Sequence, residues 1–237
     1  MNLYKISEQK LYYLKYSENT IKTYLGFIFE FETKVGKHYS RLNSKDFQNY
    51  IYNYDFSSIS KQNQVISALK FAWEKGLCKK YLKVDFKRPR KEKKLPKVID
   101  AELLANKIKS IPNLKHRAIL TLGLSCGLRI SEVVNLKWEH LDRKRNILNV
   151  INGKGKKDRC TVLNDDTIKL LDDYWREYKS EVYVFNGQSK PKYSQTSIQN
   201  LVKKHIHKKA SFHLLRHSYA TYALDNGTPI TALSPSM

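Results

Sequence analysis

The sequence predicts a mainly α protein with a small antiparallel β-sheet, an α+β fold in two parts. Three observations predict it. Apolar residues recur at helical spacing through the first ninety positions, a basic stretch with two prolines then interrupts them, and two β-branched runs further on flank a glycine-containing connection. The division that follows is a helical domain over 1–86, a basic linker over 87–97 and a second domain over 98–237.

The elements follow in order. A helix over 3–15 gives way to Ser17-Glu18-Asn19-Thr20, a start signal for a second helix carrying Ile21, Tyr24, Leu25, Ile28, Phe31 and Val35 and ending at Gly36. Asn43-Ser44 can cap a short helix with Phe47, Tyr50 and Ile51. A fourth, over 58–75, places Val65, Ile66, Leu69, Ala72 and Trp73 on one side and closes at Gly76. Four helices with short connections imply a small bundle whose apolar stripes are its core. The stretch K-R-P-R-K-E-K-K-L-P-K at 87–97 holds seven basic residues and one acid, and Pro89 and Pro96 discourage a continuous helix.

Beyond the linker, Asp100 caps a helix to about 110, and an apolar helix over 114–125 ends at Cys126-Gly127. Ser131 to Leu136 reads as another helix start. Residues 147–151 and 160–163 read as strands joined by a hairpin over 152–159, 165–178 as an amphipathic helix, and 182–185 as a third strand. A basic helix over 194–207 precedes the last one, F-H-L-L-R-H-S-Y-A-T-Y-A-L-D-N-G at 212–227. At about 100° per residue, His213, Arg216, His217 and Ala220 share one face of that helix, with Leu215, Tyr219 and Tyr222 opposite as core.

Charge narrows the function. Lys and Arg number 44 against 22 acidic residues, a net +22 that favours a polyanionic partner, nucleic acid or an anionic membrane surface. No apolar run approaches the roughly 18 residues needed to cross a bilayer, so membrane attachment has no support. Cys78, Cys126 and Cys160 are isolated and lack metal-ligand spacing, which fits a reducing cytoplasm. The 16 tyrosines interleaved with basic residues suit contact with sugar, phosphate and bases.

Three basic clusters in the second domain carry candidate chemistry: Arg129 after a tight glycine turn, Lys154 in a glycine-flanked hairpin, and His213 with Arg216 on the last helix. Should they converge, two arginines would bind the non-bridging oxygens of one phosphate and stabilise the charge of a pentavalent transition state. A lysine at a hairpin tip could protonate a departing 5′ oxygen, and a histidine could exchange a proton with a nucleophile. No metal is required for this, and no carboxylate cluster stands ready to hold one.

The motif Gly127-Leu128-Arg129-Ile130-Ser131-Glu132-Val133 resembles the G-x-R-x-S-E-L box of the tyrosine recombinases, the phage-integrase family that includes the Xer-type enzymes. Residues 151–159, I-N-G-K-G-K-K-D-R, are similar to that family's G-K-G-x-K-x-R hairpin, and 213–221, H-L-L-R-H-S-Y-A-T, to its H-x-L-R-H-S-F-A-T box. All three occur in the family's order. The resemblance implies Arg129 and Arg216 as the phosphate clamp, Lys154 as general acid for the leaving 5′ hydroxyl, and His213 as its acid/base partner. Glu132 would steady the site, or simply be an acid favoured at a helix N-terminus. His217 would take a structural, hydrogen-bonded part. Lys156 and Arg159 would contact the DNA backbone, as would Lys87, Arg88, Arg90, Lys91, Lys93 and Lys94 of the linker.

The same resemblance implies a helical core-binding domain and a catalytic domain closing on duplex DNA, strand exchange through a 3′-phosphotyrosyl link with no cofactor, and four protomers on two sites. The family pattern continues with an L-G-H-x-x-x-x-T-T box and then the nucleophilic tyrosine, and this sequence shows neither after Ile230. Three expectations follow: a truncated or frameshifted integrase, a chain that takes its tyrosine from another protomer, or a DNA-binding remnant. A basic helical RNA-binding protein is the remaining alternative. Tyr193, in a loop with Pro191 and Lys192, is left without a role.

Overall fold

The computed structural model describes residues 2–80, 82, 99–151 and 158–228. The chain falls into two compact units, Met1–Lys94 and Leu95–Met237.

The first unit is the expected bundle. Helices α1 (Leu3–Tyr13), α2 (Glu18–Val35), α3 (Ser44–Tyr52) and α4 (Ile59–Phe71) follow one another, and a π-turn over Ala72–Gly76 ends the last. Local chemistry sets their starts. The Ser17 hydroxyl accepts the amide of Thr20, Ser58 that of Lys61, and Asn43 and Asp46 exchange bonds of 3.1 and 3.0 Å in a capping box. Ile28, Phe31, Phe47, Ile51, Val65, Ile66 and Leu69 then fill one interior, with the Phe31 and Phe47 rings 4.3 Å apart. The Glu32 carboxylate accepts the Leu3 amide at 2.8 Å, which fixes the start of α1 against α2.

The second unit is built around α6 (Leu114–Ser125), whose Ala118, Ile119, Leu120 and Leu122 are buried. It packs against α5 (Ala101–Lys109), α8 (Asp165–Tyr178), α9 (Gln195–His205) and α10 (Phe212–Asp225). The approach of α10 is close at Gly123, where an added Cβ would stand 2.6 Å from the Phe212 ring. A five-residue helix, α7 (Ile130–Val134), follows the Gly127 turn.

The sheet has three antiparallel strands in the order β1 (Leu141–Asp142), β2 (Ile147–Val150), β3 (Arg159–Val162). Leu148 pairs with Thr161 and Val150 with Arg159. The third strand is therefore not the run at 182–185. That run is extended but pairs elsewhere: Val184 donates to the Leu136 carbonyl at 2.9 Å, Trp138 donates to Val182 at 3.2 Å, and Lys137 and Tyr183 form an isolated bridge. Its Val184 and Phe185 are completely buried, so the apolar pattern reports burial in a loop rather than membership of the sheet.

Candidate functional site

Gly127 is where the site begins. Its φ of +58° turns the chain after α6, and an added Cβ would lie 2.5 Å from the Tyr219 ring, so both torsion and space call for glycine. The turn delivers Arg129 to the N-cap of α7, where its backbone amide donates to Glu132 Oε2 at 2.7 Å.

Glu132 is the hub of the cluster. Its Oε1 accepts Arg129 Nη1 at 2.9 Å and Arg159 Nη1 at 2.7 Å, and its Oε2 accepts the Arg129 amide and Arg159 Nη2, each at 2.7 Å. Each oxygen thus receives two donors, and the Glu132 and Arg159 side chains are each 6% exposed. Burial alone would raise the carboxyl, but the hydrogen bonds from Arg159 and Arg129 outweigh it and hold the group down at about 2.

Arg216 arrives from α10 and is 6% exposed. Its Nη1 donates to the Gly127 carbonyl, while Nη2 is buried with no partner among the described residues. Burial, then the charges of Arg129 and Arg159, push this guanidinium down to about 10, still cationic at neutral pH. His213 is exposed on the same helix. Partial desolvation, then the neighbouring His217, Arg216 and Arg129, lower it from its ordinary value, which favours the neutral imidazole.

Two contacts set the pose of α10. Gln199 on α9 accepts the Phe212 amide at 3.1 Å and donates to the Ala210 carbonyl at 2.9 Å, doing what Ser211 at the N-cap does not. The buried Ser218 hydroxyl donates to the Ile99 carbonyl at 2.7 Å.

The structure therefore brings Arg129, Glu132, His213 and Arg216 together. Lys154 and Lys156 lie outside the described residues, as do Lys87, Arg88, Arg90, Lys91, Lys93 and Lys94. Four expectations change. Arg159 directs both its Nη groups to Glu132 inside the unit, not to an outer surface open to a DNA backbone. His217 is exposed with its ring 6.3 Å from that of His213, and the buried hydrogen-bonded side chain is its neighbour Ser218. Tyr222 is 57% exposed rather than core. Tyr219 is half-buried against Gly127, near enough to Arg216 to act on its charge. The two-face division fails because α10 is enclosed by three helices, so that Arg216, Ser218 and Ala220 are covered along with Phe212 and Leu215.

Chemically, Arg129 and Arg159 bond one carboxylate and Arg216 lies within electrostatic reach of all three, a local excess of two positive charges. The excess is held where water is scarce, with the buried Arg216 Nη2 unbonded among the described residues. Such a pocket suits a tetrahedral oxyanion such as a phosphodiester.

Comparison with known proteins gives one family. The sequence model of the phage integrase family matches residues 97–236. The chain is 30% identical over 228 residues to y4qK of Sinorhizobium fredii, described as an integrase/recombinase, covering 92% of this chain and 74% of that one. It is 35% identical over 182 residues to tyrosine recombinase XerA of Pyrococcus horikoshii, covering 73% of this chain and 63% of that one. Its length thus spans less than two thirds of that relative, and 61% of another, y4eF of Sinorhizobium fredii. Among solved structures, the XerH site-specific recombinase bound to its difH substrate superposes with a TM-score of 0.72 at 19% identity. That match covers 92% of this chain and 71% of the other.

Proposed function

Because the chain belongs to the phage integrase family, we propose that it binds duplex DNA at a recombination site and activates a scissile phosphodiester for site-specific strand exchange. One observation carries this reading: Nη2 of Arg216, close enough to Arg129 for their charges to interact, is buried with no partner among the described residues, a donor that a phosphate oxygen could satisfy. A non-bridging oxygen seated there would complete a hydrogen bond that the described residues leave unmade.

In the reaction, Arg129 and Arg216 bind the two non-bridging oxygens. A tyrosine hydroxyl attacks phosphorus, and the P–O bond to the 5′ oxygen breaks. His213, as the neutral imidazole, accepts the tyrosine proton, and Lys154 donates one to the departing 5′ oxygen. A 3′-phosphotyrosyl link conserves the bond energy until a 5′ hydroxyl of a partner strand reverses the step. No tyrosine of this sequence is assigned the attack. Tyr219 is wedged against Gly127 and Tyr222 is turned to solvent.

The helical domain over 1–86 and the linker supply further contacts to DNA, and four protomers on two sites complete an event. The chain works in the cytoplasm; no helix among the described residues is long and apolar enough to cross a membrane.

The test has two steps. A preferred duplex is selected from a random pool, then nicked near its centre and incubated with this chain, with a relative that carries the family's nucleophilic tyrosine, and with the mixture. A denaturation-resistant protein–DNA band from the mixture, lost with Arg216→Ala in this chain, is the expected result. Site-selective binding with no covalent band in any mixture would establish the second reading, a DNA-binding protein that occupies recombination sites.

A further inference from the structure

We infer that Arg159 is a positioning residue for the phosphate clamp, acting on Arg129 through the Glu132 carboxylate. The inference rests on the proposed reading of the site.

The geometry is a relay. Arg159 is the first residue of β3, cross-strand from buried Val150, so the pleat directs its side chain to the covered face of the sheet. An arginine sent there needs a carboxylate, and Arg159 places both Nη groups on Glu132 while its Nε stays buried without a partner among the described residues. Nothing else among the described contacts holds this guanidinium. Two parallel bonds fix the plane of the carboxylate, and that plane decides where the other two acceptor positions point. Those positions take the Arg129 amide and Arg129 Nη1. Arg159 thus sets the direction in which Glu132 pulls Arg129.

A second consequence concerns charge. With Arg159 absent, Glu132 would neutralise Arg129 in a one-to-one pair. With Arg159 present, the carboxylate is shared between two cations and the site keeps its positive excess for the phosphate. The relay also joins two chain segments that chemistry needs in register. Arg159 stands five positions after Lys154 and Glu132 three after Arg129, so one carboxylate ties the strand that follows the lysine hairpin to the helix start that carries the arginine.

The test uses the full chain with Arg159→Gln and Arg159→Lys, and reads adduct formation in the nicked-duplex mixture, duplex affinity and its salt dependence. Arg159→Gln is expected to slow adduct formation by about tenfold or more while duplex affinity changes less than about twofold, since no phosphate contact is removed. Arg159→Lys keeps the charge but cannot span two oxygens, and should recover only part of the rate. In an Arg129→Ala background, Arg159→Gln should add less than about twofold, because the residue acts through Arg129. Glu132 in Arg159→Gln moves up toward its ordinary 4.5, so as pH falls toward that value the variant loses rate beyond the loss that protonation of His213 gives both proteins.

A tenfold loss of duplex affinity with a shallower salt dependence would overturn the inference and make Arg159 a backbone contact. Losses that multiply in the Arg129→Ala background would overturn it as well. If no mixture yields an adduct, the functional reading fails, and the relay is then read by nitrogen-15 spectra of the arginine backbone and side chains. The Arg129 backbone N–H and Nη–H signals should be protected in the parent and less so in Arg159→Gln, and unchanged signals in a folded variant sink the relay.

Discussion

In the N-terminal unit the covered interior is aromatic and aliphatic, and Ser7 is the one polar residue among its fully covered described side chains. The second unit encloses an apolar core of similar kind but also covers Arg216, Thr167, Ser180 and Ser218, and all but closes over Glu132 and Arg159. Covering charge costs free energy that a hydrophobic replacement would not. The bundle's interior is therefore explained by packing alone, whereas the second unit covers charge that packing does not call for, and the proposed site lies there. The difference locates function without reference to any ligand.

Arg216→Met tests the contrast most strongly. Removing the donor should lower adduct formation by about a thousandfold, yet the melting temperature of the second unit should change little, because an unbonded buried Nη2 goes while the Gly127 carbonyl loses its donor. Calorimetry alongside the trapping assay checks both signs. Phe47→Ala is the mirror image: it should cost the bundle about 3–4 kcal/mol and leave the arginine side-chain spectrum of the site unchanged.

Acid sharpens the contrast further. Glu132 sits at about 2 when folded against an ordinary 4.5, so its charged form stabilises the fold. That contribution, on the order of 2 kcal/mol with solvent screening included, is complete above 4.5 and disappears as pH falls from 4.5 through 2. Glu132→Gln should remove this segment from the stability–pH curve of the second unit. The smallest effect is expected from Gln199→Ala, about 1 kcal/mol for a lost helix cap, with a modest fall in rate as the start of α10 loosens.

How much of this can be read from the chain differs by the range of the cause. Helix starts at Ser17, Asn43, Ser58 and Asp100 are legible because a cap is decided within four residues. The arginine, histidine and glutamate of the boxes are legible because their spacing is local. Arg159 is visible in the sequence but its role is not: that role depends on the Val150 register, and an arginine cross-strand from an inward valine is the available signal. The segment at 182–185 and Tyr222 mislead for a shared reason. Apolar periodicity reports that something is covered, or could be, and not by which neighbour. Gln199 gives no signal at all, since it caps a helix thirteen positions away.

Gly127 has a consequence for genetics. One residue supplies a left-handed turn, the space occupied by the Tyr219 ring and the carbonyl that receives Arg216. A changed codon there fails on two separate counts. Asparagine tolerates the torsion but not the ring, and Tyr219→Ala clears the ring but not the torsion. Second-site suppressors of Gly127 substitutions should therefore be scarce. Survivors of a selection should be true revertants, or the rare pairing of Gly127→Asn with a smaller residue at position 219.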